Sequence, residues 1–240
     1  MPYVKNWRDV QPDISHLSAV HWGGLRPAAE IDSEDDRDRL SRLGGFARHA
    51  LQGRKTSDHH KHERKEQVYY ILGGSGEVLF DGNRFPVESG DAVYLPSGLH
   101  HQMFNDMNED WLEHHVISMD ISEDGGDLVI SNWHNAIPEC DGAGAIRWRQ
   151  LSTLGDGAVE CLRGMAFIDR EAVQPESRSI TRRYENVEQV YYCLENSCLI
   201  TVDGEEVSFT EGDMVHLPVG SEYHVSNPNG DWVSYLIMAA

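Results

Sequence analysis

The feature that most constrains this chain is an internal repeat. Glu66-Gln67-Val68-Tyr69-Tyr70 recurs as Glu188-Gln189-Val190-Tyr191-Tyr192, an offset of 122 residues. The same offset carries Asp81-Gly82 onto Asp203-Gly204, Gly90-Asp91 onto Gly212-Asp213, Leu95-Pro96 with Gly98 onto Leu217-Pro218 with Gly220, and Asn105 onto Asn227. Beyond that core, Asp110-Trp111 is echoed by Asp231-Trp232 at an offset of 121, so the second copy is one residue shorter in the intervening turn. A register held over so many positions means two copies of one structural unit. The seam is expected between Asp120 and Gly144, where Glu123-Asp124-Gly125-Gly126-Asp127 and Asp141-Gly142-Ala143-Gly144 are rich in turn formers. The expected units are residues 1–125 and 126–240.

Within each unit the segments are short, β-branched and aromatic, and turn chemistry separates them. Gln67 to Leu72 is followed by Gly73-Gly74-Ser75-Gly76, then Glu77 to Phe80, then the hairpin signal Asp81-Gly82. Evenly spaced short strands of this kind predict an all-β sandwich or barrel, once per copy. Helix is expected only in short pieces, such as Ser33 to Arg42, where a serine cap precedes a charged run.

The first copy carries a distinctive set of residues. Gly53 is followed by His60-Lys61-His62, Glu66-Gln67 and Gly74-Ser75-Gly76, and later by Gly90, Pro96, Gly98, His101 and Asn105. This run resembles the two signature motifs of the cupin superfamily, G-x5-H-x-H-x(3,4)-E-x6-G and G-x5-P-x-G-x2-H-x3-N. The second motif is matched throughout. The first departs in two places: Gly53 lies one residue farther from His60 than the pattern has it, and two residues compete for the acidic position. The resemblance implies tandem jelly-roll (double-stranded β-helix) barrels and one divalent transition metal, Fe, Mn, Ni or Zn, held by His60, His62 and His101. Physically, His60 and His62 are two apart, so on a strand their imidazoles share a face. Three imidazoles and one oxygen leave coordination positions open for a small molecule.

Glu66 and Gln67 are the alternatives for the oxygen ligand. Glu66 brings a negative charge; Gln67 fits the four-residue spacing and is preferred. An amide would leave more positive charge on the metal for an anionic ligand. Glu66, Tyr69, His114 and His115 are the candidates for acid-base work. His114 and His115 share a strand, so one of them faces inward. At the columns of His60, His62 and His101 the second copy has Arg182, Tyr184 and Tyr223, and only Gln189 persists. A one-residue slip onto His224 would not restore a site, so the second barrel is expected to lack metal.

Acidic residues number 40 against 20 lysines and arginines, and a formal charge of −20 repels nucleic acid and anionic membranes alike. No segment resembles a DNA-binding helix-turn-helix. The start has no apolar h-region, and no stretch approaches the roughly 20 apolar residues of a membrane span, so a cytoplasmic protein is expected. Cys140, Cys161, Cys193 and Cys198 form no CxxC pair and are expected as reduced thiols. The functional expectation is a small-molecule metalloenzyme. It would be a dioxygenase-type oxidoreductase first, or an isomerase or lyase acting on a carboxylate or enol second, with a homodimer possible for either. The alternative is a non-catalytic binding or sensing protein with a structural metal.

Overall fold

The computed structural model describes residues 2–27 and 39–240. Among the described residues almost every regular element is a strand, and the two helical pieces are single 3-10 turns at Trp7–Asp9 and Trp133–Asn135. Of the helix expected over Ser33 to Arg42, positions 33–38 lie outside the described residues. Arg39–Leu40 is instead extended and pairs in parallel with strand Ala19–Pro27.

Two barrels follow from the alternation of the strands. Each combines one large and one small antiparallel-dominated sheet, eight strands with four in the first barrel and eight with five in the second. Strand Lys65–Gly73 shows how the faces divide. Tyr69 and Ile71 pack inside the first barrel with Leu51, Val93 and Met103. Val68 and Tyr70 point the other way, into a core shared with Val190, Tyr192 and Leu236 of the second barrel. The large sheets therefore meet face to face, which is why this strand is apolar on both sides.

The two units exchange their leading segments. Strand Tyr3–Asn6 pairs with Asp213–Leu217 of the second barrel, and Val129–Asn132 pairs with Asp91–Leu95 of the first. Each ends in an Asn-Trp turn, and each asparagine donates to the aspartate of a Gly-Asp pair: Asn6 to Asp213 at 2.8 Å and Asn132 to Asp91 at 2.9 Å. The paired glycines have φ of +93° (Gly90) and +88° (Gly212), and a Cβ on either would lie under 3 Å from the Trp133 or Trp7 ring. Glycine is thus required twice over by backbone and by packing. The repeat therefore begins at the Asn-Trp turns, at an offset of 126 instead of 122.

Glu66 and Glu188 fasten the barrels together. Glu66 is fully buried and accepts from the backbone N–H of Arg163, Gly164 and Met165 at 2.9, 2.8 and 2.6 Å. Glu188 does the same for Ser41, Arg42 and Leu43 at 2.7, 2.8 and 2.9 Å, and His216 Nε2 lies 2.8 Å from it. Each carboxylate caps a loop of the other half. Burial alone would raise the Glu188 carboxyl, but the bonds from His216 and the three N–H groups hold it down at about 2, against an ordinary 4.5. A carboxylate depressed in the folded state stabilises above its unfolded pKa and loses that contribution as pH falls through the folded one. The stability gap between the wild type and Glu188→Gln is expected to be full at neutral pH. It should shrink below about pH 4.5 and close near pH 2, as read from urea unfolding across that range.

Candidate metal centre

The second motif brings the first motif's histidines together. His60 and His101 form a two-bond antiparallel bridge, His60 N–H to His101 O at 3.2 Å and His101 N–H to His60 O at 2.8 Å. The N–H of Gly98 donates to His62 O at 2.7 Å, tying the next turn to the same place. His60 and His62 lie beyond the ends of the regular strands, contrary to the expected strand geometry, and backbone bridging makes their rings converge instead. Ring centroids are 5.0 Å apart for His60 and His62, 4.5 Å for His60 and His101, and 5.7 Å for His62 and His101. One nitrogen from each lies within 4.8 Å of the other two.

The protonation states suit ligation. Burial, followed by the neighbouring His60 and Lys65 charges, lowers His62 to about 4; burial with His60 and His62 lowers His101 to about 3. Burial also depresses His60, although the Asp58 carbonyl and carboxylate pull against it. Neutral imidazoles present lone pairs. His60 Nε2, His101 Nδ1 and Gln67 Oε1 are buried without a hydrogen-bond partner, an unusual cost for a folded chain unless something completes them. Three imidazole nitrogens with an amide oxygen and no thiolate fit a first-row divalent ion.

The remaining candidates divide. Gln67 is buried and lines the same cleft as His62. Glu66 is turned to the opposite face and consumed by the clamp, so the structure corrects its assignment both as ligand and as base. The Tyr69 hydroxyl lies 3.4 Å from His101 Nε2, and burial raises its pKa, so it stays a phenol. His114 faces inward, its ring 4.9 Å from that of Tyr69. His115 faces outward and is likewise corrected: it is fully buried between Phe46 and Tyr192 at the junction of the barrels, with Nδ1 3.3 Å from Ala47 O. His59 and His100, near the motifs in sequence, stack on each other on the exposed side.

Sequence reasoning missed three histidines beside the triad. His16 stacks on His60 at 4.7 Å and is bonded to Asp58 at 2.8 Å; His21 is bonded to Asp13 at 2.8 Å and meets His49 edge-on. Burial, then the neighbouring His114, lowers His49 to about 2. His16, His21 and His49 line a cleft of about 390 Å³ together with His62, Gln67 and Arg26. They lie outside both motifs; the one available signal was that alternation turns His21 and His49 to the same face as the barrel interior.

In the second barrel the same columns satisfy one another. Arg182 donates to Glu171 at 2.8 Å, Tyr223 OH to Gln189 Oε1 at 2.9 Å, and Arg147 to Tyr184 OH at 3.2 Å. His224 neighbours the buried Tyr223 on its strand, so its side chain takes the other face.

The family model described as Cupin domain matches residues 48–115. An oxalate-binding protein of Thermotoga maritima is 37% identical over 82 residues, which cover 34% of this chain and 66% of that protein. An uncharacterized protein of Methanocaldococcus jannaschii is 41% identical over 46 residues, 19% of this chain and 37% of its own length. These matches thus span about a third to two thirds of the curated relatives. Among solved structures, a bacterial pirin from Escherichia coli in complex with nickel(II) superposes with a TM-score of 0.74 at 16% identity, covering 99% of this chain and 98% of that one. Oxalate decarboxylase from Bacillus subtilis superposes with a TM-score of 0.73 at 15% identity, covering 98% and 75%. Among the described residues no helix is long and apolar enough to cross a membrane.

Proposed function

We propose that this chain, whose residues 48–115 match the Cupin domain model and whose fold is that of two-barrel cupins, holds in its N-terminal unit, residues 1–125, one divalent transition metal that anchors a small, anionic, chelating carboxylate or enol. His60, His62, His101 and Gln67 would be the ligands. The observation that carries the reading is the contrast between the barrels. Gln67 Oε1 and His60 Nε2 are buried without a partner, whereas Gln189 Oε1, at the matching place, is bonded to Tyr223. At the columns of the metal ligands, the second barrel's side chains bond to one another, and those of the first are left for a cation to complete. The unit 126–240 then serves as scaffold, since Arg182 is already paired with Glu171 and Arg183 with Glu185.

The names of the relatives support the ligand class: one is an oxalate-binding protein, another an oxalate decarboxylase, and studies of the latter concern its Mn(II) centres. When bound, the metal supplies a Lewis acid with open positions. Around it the chain's own residues orient and protonate. Gln67 adds no negative charge to oppose an anion, and the Tyr69 phenol beside His101 offers a proton donor. His16, His21 and His49 wall the cleft with imidazoles. Metal-dependent turnover, of dioxygenase type first and isomerase or lyase type second, is the enzymatic form of this reading. A non-catalytic binder is the second reading, favoured by the name of the Thermotoga relative.

Calorimetric titration with oxalate tests it. The Mn²⁺-loaded protein is expected to bind one oxalate per chain and the chelator-stripped protein none. Equal binding to both forms, or to neither, removes the metal-held carboxylate. Product formation from oxalate or a 1,3-dicarbonyl by the loaded protein decides between enzyme and binder.

A further inference from the structure

The barrel mouths can be compared position by position. Strands Ala19–Pro27 and Gly45–Leu51 pair with the same register and the same bulge as Ala145–Ser152 and Phe167–Val173. His21 faces His49 where Arg147 faces Glu171, and Gly23 faces Ala47 where Arg149 faces Asp169. In the second barrel this layer carries the long charged side chains of Arg147, Arg149 and Asp169, which narrow it to a cleft of about 290 Å³. Arg147 and Asp169 form a buried ion pair at 2.7 Å, and the Arg147 guanidinium sits 4.8 Å over the Phe167 ring. In the first barrel glycine and alanine leave the layer open, and that space is the cleft leading from His62 and Gln67 to Arg26.

Gly23 is not there for backbone or packing reasons. A Cβ at that position would meet only His21 Cε1 at 3.6 Å and Arg26 Nε at 3.8 Å, ordinary contacts, and its φ is not in the left-handed region. What a side chain would cost is the space itself. The same two contacts place the Arg26 guanidinium and the His21 ring around one point of the cleft wall. Among the described residues Arg26 has no ion-pair partner, and the second barrel has Ser152 in its place. Asp13, the carboxylate on this rim, is engaged by His21 Nδ1 at 2.8 Å.

We propose that this opened layer is a second anion subsite, where Arg26, flanked by His21, receives the far carboxylate of a ligand whose near end is held at the metal. The favoured ligand class is therefore a short dicarboxylate longer than oxalate. This rests on the metal-held carboxylate of the preceding reading. Guanidinium matches carboxylate geometry with paired N–H donors, and a cleft carrying a metal ion at one end and a guanidinium at the other selects for two separated negative charges.

The test is a binding series on the Mn²⁺-loaded protein: oxalate, malonate, succinate and glutarate, with acetate, propionate and butyrate as their singly charged counterparts. At least one of malonate, succinate and glutarate is expected to bind about tenfold or more tightly than its counterpart. Arg26→Gln should bring that ratio close to one while the protein still takes up its metal. Ala47→Asp, which imports the second barrel's residue, should weaken the longer dicarboxylates. The subsite is overturned if the wild type shows no such preference, or if the preference survives in Arg26→Gln, while oxalate still binds in a metal-dependent way. Failure of oxalate and the whole series to bind overturns the underlying reading as well.

Discussion

Replacing His101 with alanine is expected to weaken divalent-metal binding by about 100-fold or more, since even the outer partners of metal ligands contribute roughly 10- to 100-fold. His101 is 3% exposed and held opposite His60 by two backbone bonds, so its imidazole is fixed beside that of His60. His60→Ala should behave alike. Gln67→Leu should cost less, because an amide oxygen is a weaker ligand than an imidazole nitrogen, yet it should also relieve the unpartnered buried oxygen in the metal-free protein. Competition against a chromophoric chelator reads all three. Undiminished affinity in both histidine variants would show that the converging rings are not the metal site.

Glu66→Ala should cost the fold and spare the metal. Removing the carboxylate leaves the N–H groups of Arg163, Gly164 and Met165 without their acceptor at the junction of the barrels. A buried donor left unsatisfied costs roughly 1–3 kcal/mol, so a total of about 3–5 kcal/mol is expected once partial access of water is allowed for. Glu188→Ala should lose a similar amount through Ser41, Arg42 and Leu43. Urea unfolding of the metal-free proteins measures the loss, and metal affinity of the folded fraction separates a clamp from a ligand. If Glu66→Ala keeps full stability but loses metal, the assignment of Gln67 over Glu66 is reversed.

That reversal of roles shows where the sequence could and could not be read. The double barrel was legible because a repeat constrains every copy of a residue at once, and the three histidines were marked by their resemblance to the cupin motifs, although backbone bridging and not strand alternation brings their rings together. The clamp was not, although Glu66 and Glu188 stand at matching positions of the repeat. A residue retained in the barrel that lost its ligands serves something both barrels share, and here that is the contact between them. His115 went astray for a related reason. Alternation says that one of two adjacent histidines faces inward, but it cannot tell that the outward face is itself buried by a second barrel. His16, His21 and His49 were invisible because they reach the cleft from strands and a turn outside the motifs. The exchanged arms were hidden by a change of offset from 122 to 126 that breaks the register.

The most direct test of the account is the metal content of chain reconstituted from the chelator-stripped state, set beside the His60→Ala/His101→Ala double variant. One Mn²⁺ or Ni²⁺ per folded chain in the wild type and none in the double variant is the predicted result. Two ions per wild-type chain, or one ion retained by the double variant, would contradict a single metal centre in the N-terminal barrel.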